Sequence, residues 1–265
     1  MPAELLIPVS SLFSFLAVVA RMAGAVFFLP IPAFRGAAPA PKIILVLALA
    51  LVLLPCWPVV RPPDGRLESS GLLAWLAALL AAEAAFGLCA GVTVALINET
   101  FVMGVQILSM QAGYSYASFI DPQTQADSGV LPVLAQLLAS LLFLAAGLDR
   151  QVLAAFALSL KTVPPGSFLL SAQWSAKLIA ASGGMLELAM RLALPIVALL
   201  FLVDLALALL GRIDNQMQLL TLAFPAKMLV SMFVLAASIP LFPALYKLAA
   251  GRALELFAGL VAPGG

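Results

Sequence analysis

Polar, small and aromatic side chains crowd together between Gln106 and Pro122, QILSMQAGYSYASFIDP, in an otherwise very apolar chain. This segment offers no acid–base pair and no nucleophile with a base. It offers filling and release instead. Gly113 lets a helix end at little steric cost. Tyr114, Tyr116 and Phe119 can fill a narrow space without charge, while Ala117 and Ser118 leave room to move aside. Asp121 can bond its own downstream backbone, and Pro122 limits helix continuation. The competing reading is packing between helices or an interfacial aromatic belt. Met103 and Met110, a heptad apart, either belong to the same seal or fill gaps in a core.

Six charges interrupt apolar segments: Arg21, Glu83, Glu187, Arg191, Asp204 and Lys227. An unpaired charge at bilayer depth costs at least ~2.5–3.5 kcal/mol, so each must meet a partner, water or another subunit. Glu187 and Arg191 are spaced i, i+4 with the acid first, which suits pairing on one helix face. Arg21 with Glu83, and Asp204 with Lys227, are available as interhelical pairs. A proton relay is the alternative, disfavoured because the acids are few, scattered and unsupported by histidine.

The chain has no histidine. That excludes Ser-His-Asp and Cys-His nucleophile systems, histidine-bearing zinc sites and histidine-ligated haem. There is no G-x-x-x-x-G-K-[ST] phosphate loop and no G-x-S-x-G elbow. Cys56 and Cys89 form no C-x-x-C and read as buried, unpaired small hydrophobes. These residues call for no cofactor, no metal and no catalytic site. A net charge of +1 gives no electrostatic basis for binding nucleic acid.

Of 265 residues, 64% are hydrophobic and 9% charged, and the mean hydropathy is +1.16. Soluble domains carry about 25% charged residues. This surface must therefore face lipid, detergent or partner subunits. The apolar runs predict an all-α fold of polytopic, membrane-type helical hairpins. About six to seven long helices are expected, several kinked at Pro or Gly. The runs are Leu5 to Leu29, which is read as retained rather than as a cleaved leader, Ile43 to Val60, and Gly71 to Ile97 continuing through Gln111. Leu131 to Leu148, a short helix from Asp149 to Leu160, and Lys177 to Leu210 with a kink at Pro195 follow. The last run, Leu219 to Leu248, is expected to break at Pro225, Pro240 and Pro243. Ile43 to Val60 is nearly long enough to span a bilayer core, and the third and sixth runs are longer than one requires. Gly87-x-x-x-Gly91 offers a small-residue face for close helix packing. Lys and Arg alternate only weakly between loops, either because 13 basic residues are too few to show a bias or because these helices do not all cross a bilayer in the ordinary way.

Gln111-Ala-Gly-Tyr-Ser-Tyr-Ala-Ser-Phe-Ile-Asp121-Pro122 resembles the Q-x-G-x-x-x-A-x-x-x-D-P signature of the flagellar biosynthetic protein FliR family. Its injectisome counterparts are the T-subunits of the virulence export apparatus. Leu194-Pro195, Leu210-Gly211-Arg212, Asn215-Gln216 and Phe224-Pro225-x-Lys227 are similar to a second family stretch. Leu131-Pro132-Val133-Leu134, the Pro164-Pro165-Gly166 loop, Arg21 and the Arg35…Lys42 connector fall in the same order. Asn215 stands where the family has proline, Gln218 where asparagine is common, and Ala223 where glycine is common. These departures bear on the geometry of the 211–225 turn.

The resemblance implies a subunit of the export gate in the bacterial inner membrane, at the flagellar basal body. It implies a P-like part, 1–175, followed by a Q-like helical hairpin, 176–265. The implied partners are P-type and Q-type gate subunits, the B-type subunit and the large A-type export protein. Unfolded flagellar proteins would be the substrates in transit. The loop matching Gly113 to Asp121 is implied to plug the closed pore, with Gly113, Tyr114, Tyr116, Phe119, Asp121 and Pro122 as its key residues. A virulence injectisome subunit is the near alternative. A small-solute secondary transporter is the distant one, and would predict an internal repeat that is not visible here.

Overall fold

The computed structural model describes residues 9–28, 39–62, 69–114, 130–168, 172–213 and 219–261. These residues are all-α, without a strand. The helices are α1 (Val9–Phe27), α2 (Pro39–Val52), α3 (Ser69–Ala112), α4 (Val130–Ala145), α5 (Leu148–Thr162), α6 (Ala172–Ile213), α7 (Leu219–Ser238) and α8 (Phe242–Val261). Among the described residues four apolar stretches are long enough to cross a membrane: Ser10–Phe27, Gly71–Ala112, Ala172–Arg212 and Pro225–Val261.

The lengths follow from where breakers fall. No proline interrupts 69–112, so α3 runs for 44 residues, about 66 Å at the helical rise and roughly twice the thickness of a bilayer core. α6 runs for 42 residues and continues through Pro195. α7 likewise continues through Pro225. The expected break at Pro225 is therefore corrected. Pro240 instead lies in a single 3-10 turn, Ile239–Leu241, where the helix tightens between α7 and α8 and the apolar stretch Pro225–Val261 runs on through it. Pro243 sits in the first turn of α8, where the missing N–H is not needed. α8 extends past Leu248 to Val261, because Lys247, Arg252 and Glu255 lower hydropathy without lowering helix propensity.

The second run is also corrected. α2 ends at Val52 after 14 residues, well short of Val60. Leu54–Cys56 forms a 3-10 turn with Pro55 inside it. Pro58 then holds the chain out of the helix, and the Trp57 indole N–H donates to the Ala50 carbonyl at 2.9 Å.

The chain divides into two compact units. The first comprises 1–95, 147–181 and 252–265, and the second 96–146 and 182–251. In the first, α1 lies against α3 across glycines. A Cβ on Gly24 would lie 2.4 Å from the Ala84 carbonyl oxygen, and one on Gly91 2.7 Å from that of Ala25. The Gly87-x-x-x-Gly91 face thus meets α1 at a distance only glycine permits. Phe13, Ala17, Val60 and Leu79 form a buried cluster with Trp75 against it. Phe13 and Trp75 meet edge to face at 5.4 Å, and Phe156 meets Phe257 at 5.3 Å. In the second unit, Ile97, Leu108, Leu200 and Tyr246 are fully buried, and Phe101 meets Phe242 at 4.7 Å.

Both units leave large apolar side chains uncovered. Ile179, Leu229 and Phe233 are each more than 70% exposed. An apolar surface of this extent needs lipid or protein against it.

Candidate functional site

α3 ends in two hydrogen bonds that define its exit. The Tyr114 N–H donates to the Ser109 carbonyl at 3.1 Å, and the Gly113 N–H to the Met110 carbonyl at 3.2 Å. Gly113 between them has φ 85°. This is a Schellman C-cap, which needs a left-handed residue after the last helical one. The sequence reading of Gly113 as an exit point has this conformation beneath it. Tyr114, half-buried, then donates its hydroxyl to the Met228 carbonyl on α7 at 3.0 Å. The start of the 113–121 segment is thereby tied to a helix backbone. Tyr116, Phe119, Asp121 and Pro122 lie outside the described residues.

Along the last turns of α3, Phe101, Val105, Leu108 and Ala112 are buried. Met103, Gln106 and Met110 form one exposed stripe on the other side. Met103 is 43% exposed and Met110 65%. The two methionines fill no gap in this chain's own core and are available to whatever lies outside it.

The six charges that interrupt the apolar runs fall into three pairs. Arg21 and Glu83 are buried, at 0% and 1% exposure. Arg21 Nε donates to Glu83 Oε2 at 2.6 Å and Nη2 donates to Oε1 at 3.1 Å, a two-pronged contact that suits the planar guanidinium. Nη1 donates to Ser159 Oγ at 3.1 Å, and Nη2 also reaches the Val163 carbonyl at 3.3 Å. The Phe86 ring lies under the guanidinium at 4.4 Å, within cation–π range. The Gly166 N–H donates to Glu83 Oε1 at 3.0 Å with φ 76°, a backbone shape that suits glycine. The pair therefore joins α1, α3, the end of α5 and the 163–168 loop. Such a pair is tolerated because its polar atoms are satisfied.

Asp204 on α6 and Lys227 on α7 meet at 2.6 Å and are partly covered. Glu187 and Arg191 meet at 2.6 Å on the surface of α6, both more than half exposed. A further polar contact was not read from the sequence. The buried Tyr246 hydroxyl on α8 donates to the Asn98 side-chain oxygen on α3. Ser159 and Phe86 around Arg21 carry no local mark in the sequence, and the Pro164-Pro165-Gly166 loop gave no sign that Gly166 meets Glu83. Among the described residues no three side chains gather as metal ligands.

Residues 12–252 match the family model described as bacterial export proteins, family 1. The chain is 31% identical over 136 residues to the flagellar biosynthetic protein FliR of Escherichia coli (strain K12), covering 51% of this chain and 52% of that one. It is 28% identical over 167 residues to the protein of the same name from Pectobacterium carotovorum subsp. carotovorum, covering 62% and 63%. It is 28% identical over 228 residues to that of Bacillus subtilis (strain 168), covering 84% of each. The aligned stretch thus spans about half the length of the Escherichia coli protein and less than two thirds of the Pectobacterium one. With nearly the whole of its length inside the family model, this chain belongs to the bacterial export proteins, family 1, the family of these FliR relatives.

Proposed function

We propose that this chain is a structural and gating subunit of a flagellar type III protein export channel, placed in the bacterial inner membrane at the flagellar basal body. The family match over residues 12–252 carries the reading, and the relatives' flagellar names favour the flagellar machine. The chain acts without catalysis of its own. It packs with P-type and Q-type subunits, next to the B-type subunit and the large A-type export protein, around a conduit for unfolded flagellar proteins. Residues 1–175 serve as its P-like part and 176–265 as its Q-like hairpin.

The exposed apolar faces of α6 and α7 support a role in which neighbouring subunits complete the surface. Helices about twice as long as a bilayer core is thick suit packing along siblings better than ordinary spanning. In this reading the 113–121 segment plugs the conduit, hinged at the Gly113 cap and anchored by Tyr114 on α7, and the Met103–Met110 stripe seals beside it.

The test is co-expression with the P-type and Q-type subunits. The chain is expected to accumulate poorly alone and to purify with them as one detergent-stable complex. A well-behaved monomer that ignores both subunits would overturn the reading.

A further inference from the structure

A recess of about 350 Å³ opens in the first compact unit, lined by Val59, Arg61, Trp75, Leu79 and the Pro164–Pro165–Gly166 loop, among others. Its size is at the low end for small-ligand sites. The chemistry of its wall is one-sided. Arg61 is exposed and supplies the cation, and among the described residues no carboxylate lines the space. The nearby Glu83 turns both oxygens to Arg21 and the Gly166 N–H. Pro164 and Pro165 have no N–H to offer. The remaining wall is apolar or aromatic, and Val59 is 72% exposed at its edge.

The wall is also held in place. The Val60 N–H donates to Ser14 Oγ at 3.2 Å, and Trp57 is tied to Ala50. Trp75 is fixed by its edge-to-face contact with Phe13, and Gly166 by Glu83. A preorganised recess loses little order on binding. One guanidinium presents a planar donor fork to a phosphodiester. A tryptophan and apolar side chains beside it suit the boundary between headgroup and acyl chain.

We infer that this recess binds the headgroup of an anionic phospholipid, its phosphate on Arg61 and its glycerol end against Trp75 and Val59. The site places a lipid against the loop that covers the buried Arg21–Glu83 pair.

The test is native mass spectrometry of the full chain, released from nanodiscs of phosphatidylcholine with or without phosphatidylglycerol. The unaltered chain is expected to retain phosphatidylglycerol in preference to phosphatidylcholine. Arg61→Gln should weaken that retention about fivefold, the effect of one basic residue at an anionic membrane surface. Arg61→Lys keeps the charge and loses the planar fork, so it should retain phosphatidylglycerol better than Arg61→Gln and less well than the unaltered chain. Ala78→Phe fills the recess and leaves the charge in place, and it should abolish retention. Equal retention of both lipids by the unaltered chain would overturn the inference, as would retention unaffected by both Arg61→Gln and Ala78→Phe.

Discussion

Gly87 packs directly beneath the Arg21 carbonyl: a Cβ added to Gly87 would lie 2.0 Å from that oxygen. The obstacle is backbone, so no rotamer change can relieve it. Alanine at 87 must push α1 away from α3, and that also pulls Arg21 from Glu83. Gly87→Ala is expected to destabilise the full chain by about 3 kcal/mol, at the upper end for overpacking. Unfolding in mild detergent measures it. Gly183 on α6 is the control, since a Cβ there meets nothing within 4 Å. Gly183→Ala should be neutral or stabilising by up to ~1 kcal/mol. Equal effects at the two positions would show that close approach of α1 and α3 is not what Gly87 provides.

Losing either half of the Arg21–Glu83 pair should cost more than losing both. Glu83→Gln leaves a buried guanidinium without its counter-charge and should cost about 3–5 kcal/mol. Arg21→Met leaves the carboxylate against the Gly166 N–H alone and should cost a similar amount. The double variant Arg21→Met with Glu83→Met removes both charges and should be milder than either single change. A double-mutant cycle on detergent unfolding checks it, and additive costs would mean that the two groups do not act as one unit.

The sequence made the long helices legible and left their neighbours hidden. Breakers are local, so the uninterrupted course of α3 to the end of its Gln111 turn was readable. The early stop of α2 was available in Pro55 and Pro58 but was outweighed by hydropathy. The last helix runs beyond Leu248 to Val261, since hydropathy falls at Lys247, Arg252 and Glu255 while helix propensity does not. Arg21 and Glu83 were both visible as charges that needed partners. Their mutual choice was not, because 62 residues separate them. Ser159 and Phe86 look ordinary in sequence and matter only through their contacts with Arg21, and the Pro-Pro-Gly loop marked Gly166 without naming Glu83 as its partner. Gly87 and Gly91 announced a close face, while Gly24, which completes it, sits in a run of small residues that could have faced anywhere.

Asp204 and Lys227 join α6 to α7 at 2.6 Å while remaining partly exposed. Removing one leaves the other in an apolar setting with partial access to solvent. The coupling between them should be about 1 kcal/mol, in the range for polar contacts between membrane helices and well below that of the buried pair. Lys227→Met and Asp204→Leu singly should each lower accumulation of the full chain. The combination should recover much of it. Continued decline in the double variant would mean that each charge answers to something other than its neighbour.

Tyr114 separates anchoring from filling. Tyr114→Phe keeps the ring and removes only the hydroxyl bond to the Met228 carbonyl, a loss of about 1 kcal/mol. If the 113–121 segment is the proposed plug, this change should loosen its hinge and raise ion leakage slightly. Replacing Tyr114, Tyr116 and Phe119 together by alanine removes the bulk that would fill the conduit. The assembled complex should then leak strongly, with subunit composition unchanged. Conductance across the membrane, read beside a swimming assay, measures both. Strong leakage from the triple variant with little from Tyr114→Phe assigns closure to ring volume. Equal leakage from the two assigns it to the anchor on α7. A triple variant that assembles and conducts no more than the unaltered complex removes the plug from the mechanism, because three aromatic rings cannot leave a narrow seal without opening it.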